Sequence, residues 1–206
     1  MFSGIIEAQS KLLSQSTSDQ AIRIVIERPR HFDDLKIGDS VCTNGVCLTV
    51  EKFDSEKIQF CLGAETLKLL EAGFEFWSKY PLNLERSLRL GDRVHGHLVT
   101  GHVDSLARVL KSYSDGECWQ LQIEISDHLI PFFWKKGSVC LNGVSLTVNE
   151  VQKNSKQNFI EVCLIPETIQ KTNLKYYQTG QYLNVESDYL AKAYISSPPL
   201  LEGSLP

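Results

Sequence analysis

A heptapeptide with a reactive side chain occurs twice in this chain of 206 residues. Residues 44–50 read NGVCLTV and residues 142–148 read NGVSLTV, so the copies differ only where Cys47 in the first becomes Ser145 in the second. A thiol and a hydroxyl can both act as nucleophiles, but each must be activated by its surroundings. Cys47 therefore marks a chemical difference between two otherwise equal segments.

Three histidines, His95, His97 and His102, form a second candidate constellation. Alternate residues of a strand share a face, and His-x-His is a known spacing of zinc ligands. Asp92 and Asp104 are the acidic residues nearby, and no carboxylate cluster completes a ligand set. A metallohydrolase would also leave the doubled heptapeptide unexplained, so we expect no metal site.

The composition is that of a soluble globular protein, with 42% hydrophobic and 22% charged residues. A net charge of -4 argues against a nucleic-acid binder, which usually carries a basic stripe. The longest apolar stretches, such as residues 129–134, are too short to span a bilayer. The first residues, MFSGIIEAQSK, lack the basic and apolar regions of a signal peptide. We expect a cytoplasmic protein that binds neither nucleic acid nor membrane.

Further landmarks recur in the same order at a nearly constant offset, which indicates a tandem duplication of a unit of about 97 residues. The pairs are Gly4 and Gly101, Gly38 and Gly137, Asn44 and Asn142, ETLK from Glu65 and ETIQ from Glu167, and LNLE from Leu82 and LNVE from Leu183.

The six cysteines form no C-x-x-C pair, so a zinc site has little support, and a disulfide framework is not expected in the cytosol. Cys42 and Cys140 are repeat equivalents, as are Cys61 and Cys163, which favours packing roles. Cys47 is different because its equivalent is a serine.

Each unit has the pattern of β-strands. Isoleucines at 22, 24 and 26 alternate with other residues, and positions 121, 123 and 125 repeat this pattern in the second unit. Period-two alternation is typical of half-buried strands, and Asn-Gly at 44–45 and 142–143 is a strong hairpin signal. Because helical periodicity is scarce, we predict a small antiparallel barrel in each half.

The segment after Glu186 reads SDYLAKAYISSPP and predicts a short helix. Ser187 or Asp188 can cap its start, and Pro198-Pro199 would end it. Its apolar face, formed by Leu190, Ala193 and Tyr194, favours oligomerisation. No flexible linker separates the two units, so we expect the barrels to lie close together. The predicted units are 1–93, 94–186 and a helix with tail at 187–206.

The sequence resembles the riboflavin synthase family, whose subunit carries two lumazine-binding repeats. The resemblance spans almost the whole chain through MFSGIIE, GDSVCTNGVCLTV, ETLK, LNLERSLRLGDR, GHLVTGHVD, KKGSVCLNGVSLTV, LIPETIQKT and LNVESDYLAKA. It implies an all-β fold of tandem, six-stranded, antiparallel Greek-key barrels with a C-terminal α-helix that builds a homotrimer. It also implies a transferase.

The family's reaction, as the resemblance implies it, consumes two molecules of 6,7-dimethyl-8-ribityllumazine. One gives a four-carbon unit to the other, which yields riboflavin and 5-amino-6-(D-ribitylamino)uracil without a metal or redox cofactor. The working site lies between the N-terminal barrel of one subunit and the C-terminal barrel of its neighbour. Association with lumazine synthase is a further implication. Two related pockets suit a reaction of two identical molecules.

Donor and acceptor must be distinguished where the repeats differ. The aligned differences are Cys47 against Ser145, Ile5 against His102, Phe2 against Val99, and more mildly Ser3 against Thr100.

By resemblance, the chemistry needs a base for the acidic 7-methyl group of one lumazine and a nucleophile or activated water at C7 of the other. His102 suits the base, since histidine titrates near neutrality. Cys47 suits a nucleophile or a polarising neighbour. Glu186 and Asp188 are expected to orient a histidine or bind ribityl hydroxyls. Hydroxyls suited to bind the ring belong to Ser40, Thr49, Ser145 and Thr147.

The catalytic set implied by the resemblance is Phe2, Ser3, Ser40, Cys47, His102, Ser145 and Asp188. The implied substrate-binding set is Gly4, Ile5, Ile6, Cys47, Leu48, Thr49, Cys61, Leu62, Gly63, Ala64, Glu65, Thr66, Gly101, His102, Val103, Lys136, Ser145, Leu146, Thr147, Ile165, Pro166, Glu167, Thr168, Ile169 and Glu186. The chain departs from the usual family pattern at Ser3, His95, Cys61 and Ala64.

Two alternatives share parts of this description. A noncatalytic lumazine-binding antenna protein, as in luminous bacteria, has the same fold but alters the GHLVTGH and GVSLTV segments, both of which are kept here. A flavin-dependent reductase barrel would need a glycine-rich nucleotide-binding segment, which this sequence lacks.

Overall fold

The computed structural model of the chain describes residues 1–18, 21–70, 73–154 and 157–197. Strands dominate this part of the chain, with short helices between and after them. The strands are β1 (Ala8–Ser10), β2 (Leu12–Ser18), β3 (Ala21–Glu27), β4 (Ser40–Thr43), β5 (Val46–Phe53), β6 (Lys57–Gly63), β7 (Leu82–Arg86), β8 (Ser105–Asp115), β9 (Cys118–Glu124), β10 (Ser138–Leu141), β11 (Val144–Gln152), β12 (Phe159–Leu164) and β13 (Tyr182–Ser187). The α-helices are α1 (Ala64–Leu70), α2 (Phe74–Lys79), α3 (Pro166–Lys171) and α4 (Tyr189–Ser196), and 3₁₀ turns cover Ile130–Phe132 and Asn173–Tyr176.

The second half forms a closed antiparallel barrel in the order β10-β11-β12-β9-β8-β13. The first half forms a sheet in the order β1-β7-β4-β5-β6-β3-β2. Only Lys11 separates β1 from β2, and its carbonyl oxygen accepts a hydrogen bond from the Glu27 backbone N–H at 3.0 Å. The two edges of this sheet are therefore successive parts of one bent segment, which matches the single strand β8 of the second barrel. The predicted tandem all-β fold is confirmed.

Two Asn-Gly hairpins form as the sequence predicts. Asn44 and Gly45 have φ of 47° and 84°, and Asn142 and Gly143 have φ of 49° and 83°. Paired positive φ values match the right-handed twist of the flanking strands. The turns fix the register in which Cys42 lies opposite Cys47 and Cys140 opposite Ser145.

Each barrel is filled by the inward faces of its strands, and the first residues of each repeat cross to the other barrel. Ile24 and Ile26 are fully buried in the first core, and Ile123 is fully buried in the second. Ile6, from the first repeat, packs in the core of the second barrel. Val103, from the second repeat, packs against the core of the first. The barrels are thus interlocked.

Buried amides bond the two barrels to each other. The Asn83 side-chain NH₂ donates to the Asn142 carbonyl oxygen at 3.0 Å and to the Asn173 Oδ1 at 2.9 Å. In addition, the rings of Phe76 and Tyr177 stack with their centroids 3.9 Å apart. Because the Asn83 amide is paired across the junction, separating the barrels would leave its polar groups without partners at a cost of about 1–3 kcal/mol each. The barrels therefore hold a fixed relative position, as their direct connection suggests.

The predicted C-terminal helix is present as α4. The Asp188 carboxylate caps it by accepting hydrogen bonds from the backbone N–H groups of Leu190 at 2.8 Å and Ala191 at 3.4 Å. Ala191 packs inward, whereas Leu190 and Tyr194 are 61% and 85% exposed. The predicted stop at Pro198-Pro199 lies outside the described residues. In the described ranges, no helix is long and apolar enough to cross a membrane.

Candidate active site

Each copy of the heptapeptide is bound by the opening segment of the other repeat. The Cys47 backbone N–H donates to the Gly101 carbonyl oxygen at 2.8 Å, and the Ser145 N–H donates to the Gly4 carbonyl oxygen at 2.8 Å. The residues predicted to bind substrate therefore divide crosswise into two groups. The first group joins residues 47–49 to residues 101–103, and the second joins residues 145–147 to residues 4–6.

Glycine is required at residues 4 and 101, where each opening segment contacts the heptapeptide of the other repeat. Gly4 has φ of 76°, and a Cβ on it would lie 2.6 Å from the Ser145 Cβ. Gly101 has φ of 78°, and a Cβ there would lie 2.7 Å from the Cys47 Cβ. L-residues avoid this left-handed region, and contacts this short cannot be accommodated without displacement. The two landmark glycines thus allow the opening segments to contact Cys47 and Ser145 directly.

The predicted ring-binding side chains lie on the outer faces of the barrels. Cys47 is half-buried and Thr49 is exposed, while the intervening Leu48 points into the core. Ser145 and Thr147 follow the same pattern in β11. Because alternate residues of a strand share a face, each pair presents its polar groups together, outside a core that is already filled.

The remaining predicted binding segments border these faces. Residues 61–66 run from the end of β6 into the first turn of α1, and residues 165–169 comprise the N-cap and the first four residues of α3. Lys136 has φ of 69°, and its backbone N–H donates to the Val148 carbonyl oxygen at 2.7 Å. The structure shows no hydrogen bond from these segments to Cys47 or Ser145.

Two buried glutamates hold the crossing segments. The Glu85 carboxylate accepts from the Ser3 N–H at 2.7 Å, the Ser3 hydroxyl at 2.8 Å and the Gly4 N–H at 2.9 Å. The Glu186 carboxylate accepts equivalently from the Thr100 N–H and hydroxyl, both at 2.7 Å, and from the Gly101 N–H at 3.0 Å. These interactions place Glu186 behind the site.

Glu85 lies beside the candidate site but is absent from the residues predicted from the sequence, although the matching LNLE and LNVE segments place it at the position equivalent to Glu186. Burial raises the pKa of Glu85 to about 7, against the opposing effect of the donors on Ser3 and Gly4. Burial also raises the pKa of Glu186, where hydrogen bonds from Thr100 oppose it. Burial therefore makes both glutamates easier to protonate than an exposed glutamate.

This shift gives the free energy of unfolding a pH dependence. The folded pKa of Glu85 lies above its ordinary value of 4.5, so the folded chain holds a proton that the unfolded chain releases. The bound proton stabilises the folded chain fully below about pH 4.5, and this stabilisation is lost as the pH rises to about 7. We expect Glu85→Gln to remove up to about 3 kcal/mol of this dependence. Urea unfolding at pH 5 and pH 8, compared with wild type, measures it.

The control for this prediction is Glu117→Gln, on an exposed turn, which should leave the pH dependence as it is in wild type. An equal pH slope in wild type and Glu85→Gln would contradict the role of Glu85.

Ser145 has a histidine partner that the sequence did not reveal. The His97 Nδ1 lies 2.7 Å from the Ser145 Oγ, and the His97 N–H donates to the Ser3 carbonyl oxygen at 3.2 Å. Burial lowers the pKa of His97, against the opposing charge of Asp188. His95 lies in a bend and His97 directly after it, outside any strand, so the shared-face argument for a metal pair does not apply to them. Across the described ranges, no three His, Cys, Asp or Glu residues are grouped to hold a metal.

Other predicted catalytic residues have different surroundings. The His102 side chain is exposed, and its backbone N–H donates to the Thr100 Oγ1 at 3.2 Å. Phe2 is fully buried, paired with Val99 and packed near Cys42. Ser40 lies opposite Thr49 in the sheet.

A cavity of about 460 Å³ opens beside the opening segment of the chain. Ser3, Ile5 and Glu85 line it together with Arg86 and His95. Its volume is within the range of small-molecule pockets. The Arg86 guanidinium donates to Glu7 at 2.8 Å in its wall, so part of the cavity's charge is already neutralised.

Comparison with known proteins gives one consistent result. A family model described as "Lumazine binding domain" matches residues 3–87 and 100–188. The chain is 33% identical over 192 residues to riboflavin synthase of Actinobacillus pleuropneumoniae, covering 93% of this chain and 87% of that protein. It is also 33% identical over 199 residues to riboflavin synthase of Escherichia coli strain K12, covering 96% and 91%.

Solved structures with a similar fold include LumP complexed with 6,7-dimethyl-8-(1'-D-ribityl) lumazine. That chain has a TM-score of 0.79 and 22% identity, and the match covers 91% of this chain and 99% of LumP. LumP complexed with riboflavin has a TM-score of 0.75 and 24% identity, with the same coverage. At this identity the likeness establishes the fold.

Proposed function

This chain belongs to the riboflavin synthase family of lumazine-binding proteins, and we propose from that premise that it is itself a riboflavin synthase. The reaction is the conversion of two molecules of 6,7-dimethyl-8-ribityllumazine into riboflavin and 5-amino-6-(D-ribitylamino)uracil. The observation that carries the proposal is the crosswise pair of half-buried, chemically unequal groups, Cys47 beside Gly101 and Ser145 beside Gly4. Two identical substrates need two such environments.

The proposed chemistry requires no external oxidant or reductant, because one lumazine loses the four carbons that the other gains. One pocket must remove a proton from the 7-methyl group of its lumazine, and the other must bind the lumazine that is attacked by a nucleophile at C7. His102, on the loop held by Glu186, is exposed and free to approach a ring bound on the face of Cys47 and Thr49. In the other pocket, Ser145 offers a hydroxyl that already contacts an imidazole.

Binding in the proposed mechanism uses the outward polar groups and the crossing segments. Within residues 4–6 and 101–103, the N–H and C=O of Gly4 and Gly101 already form hydrogen bonds in the protein. Backbone groups of the other residues in these segments, together with the Thr49 and Thr147 hydroxyls, would provide donors and acceptors for the edge of a pteridine ring. Hydrogen bonds that strengthen as negative charge develops on the ring would favour the transition state over the bound substrate.

The decisive experiment is turnover of purified lumazine substrate by the intact chain. We expect equimolar riboflavin and aminouracil product, measured by riboflavin absorbance and by chromatography. A fluorescent lumazine bound in stoichiometric amount without turnover would instead support a binding protein of the LumP kind and overturn the proposal.

We also propose that the protein works as a cytoplasmic homotrimer with each working site shared by two subunits. The outward Leu190 and Tyr194 of α4 supply an apolar face suited to self-association. A molar mass of three chains by light scattering would support this, and a monomeric mass would contradict it.

Association with lumazine synthase can be tested by co-sedimentation of the two proteins.

A further inference from the structure

We propose that His97 is a positioning residue for the Ser145 hydroxyl, and that this pair, beyond the exchange of Cys47 for Ser145, makes the two pockets chemically unequal. The inference rests on the proposed function. It assigns a role to a histidine that the catalytic set predicted from the sequence does not contain.

The geometry of the pair allows the His97 ring to accept a hydrogen bond from the Ser145 hydroxyl. A distance of 2.7 Å between the Ser145 Oγ and the His97 Nδ1 is that of a well-formed hydrogen bond. Burial favours the neutral imidazole, whose Nδ1 can accept the hydroxyl hydrogen. When Oγ forms a bond to C7 of the lumazine, its hydrogen passes to Nδ1 and the electron pair displaced from C7 moves into the pteridine ring. When Oγ later leaves C7, it takes this proton back from Nδ1. A nucleophile and a base within hydrogen-bond reach are the usual means of activating a serine.

The surrounding backbone fixes this pair in place. A Cβ on Gly96 would lie 2.2 Å from the Ser3 carbonyl oxygen and 2.7 Å from the Ser145 Oγ, so only glycine permits this close approach. The neighbouring His97 N–H bonds the same Ser3 carbonyl, and Ser3 is in turn held by Glu85. The His97 backbone is therefore held by Ser3 and by a buried carboxylate behind Ser3, and the ring is oriented by its hydrogen bond with Ser145.

The far nitrogen of the ring has an unused hydrogen-bonding position. The His97 Nε2 is buried and has no hydrogen-bond partner within the described residues. Neutral imidazole has one donor and one acceptor nitrogen, so Nε2 carries the hydrogen when Nδ1 accepts from Ser145. A buried polar atom without a partner destabilises the folded chain, which a purely structural histidine would be expected to avoid.

The equivalent pocket has no such partner. Cys47, the counterpart of Ser145, is half-buried, and its Sγ forms no side-chain hydrogen bond with the part of the chain that the structure describes. Without an adjacent base, that thiol is not oriented or polarised in the way that Ser145 is. Ser145 therefore marks the second group, residues 145–147 with residues 4–6, as the pocket in which C7 of the lumazine is attacked.

A double-mutant cycle tests the pair. We expect Ser145→Ala and His97→Ala each to lower kcat about 10²-fold with little change in KM, and the double variant to be no slower than either single variant. His97→Asn, which can place a carbonyl oxygen near the position of Nδ1, should recover part of kcat. His128→Ala, an exposed histidine, serves as the control.

Two outcomes separate this inference from the proposed function. The pairing would be overturned if the kcat losses of the two single variants multiplied in the double variant, or if His97→Ala kept wild-type kcat. In either case, turnover by the wild-type chain would leave the proposed function intact. A wild-type chain that makes no riboflavin would overturn the proposed function and with it the catalytic role of the pair, but not the hydrogen bond between His97 and Ser145, which has a readout independent of turnover. The ¹⁵N shift of the His97 Nδ1 should report an acceptor in wild type and change in Ser145→Ala. An unchanged shift would overturn the pairing.

Discussion

His102→Gln is expected to lower riboflavin formation by about 10²–10⁴-fold, the usual contribution of a general base. The side chain is exposed at the end of a segment that Glu186 holds through Thr100 and Gly101, so its backbone is fixed while its ring is free to meet a substrate. Glutamine keeps the size and polarity of the side chain but cannot take up a proton near neutral pH. Steady-state riboflavin absorbance measures the loss.

Exchange of the 7-methyl protons of bound lumazine with deuterium isolates this step, since it requires the base but not the transfer of the four-carbon unit. We expect exchange, followed by NMR, to slow in parallel with turnover in His102→Gln. His128→Gln, also exposed, should change neither rate. Exchange at the wild-type rate in His102→Gln would place the base elsewhere.

The sequence predicted the architecture well because the fold depends on local patterns. Alternation at residues 22–26 and 121–125 is imposed by the faces of a strand, and the two Asn-Gly turns satisfy a backbone requirement that few other residues meet. The cap at Asp188 is local for the same reason.

The crosswise assembly of the site could not be predicted in this way. A duplication shows that Gly4 and Gly101 are equivalent, but it does not show which copy of the heptapeptide each one contacts. The preference for the other copy is decided by packing, since Ile6 and Val103 complete the core of the opposite barrel. Likewise, the pairing of His97 with Ser145 joins residues that are 48 positions apart and depends on a bend, which has no periodic signature.

Glu85 is an intermediate case. The LNLE and LNVE segments show that Glu85 and Glu186 occupy equivalent positions, so a role assigned to one could have been assigned to the other. The sequence did not show that Glu85 holds the opening segment of the chain. A buried carboxylate that accepts three hydrogen bonds can be recognised only when its donors are located.

Gly4→Ala and Gly101→Ala are expected to disable one pocket each, with turnover reduced more than 10²-fold in both. The added methyl groups would lie 2.7 Å from the Ser145 backbone nitrogen and 2.9 Å from the Cys47 backbone nitrogen, which would displace the hydrogen bonds that join the repeats. Left-handed strain and overpacking together should cost about 2–5 kcal/mol. Calorimetric titration should show lumazine binding to fall from two molecules per chain to one.

Gly38→Ala and Gly180→Ala are matched controls, because they separate backbone strain from steric contact. Both glycines have positive φ, 92° and 93°, and a Cβ on either would meet nothing within 4 Å. They should lose about 1–2 kcal/mol of stability from left-handed strain but keep two binding sites and wild-type turnover. If Gly4→Ala and Gly101→Ala behaved like these controls, the close contacts between the repeats would not be what builds the pockets. If Gly4→Ala alone abolished both sites, the pockets would not be independent.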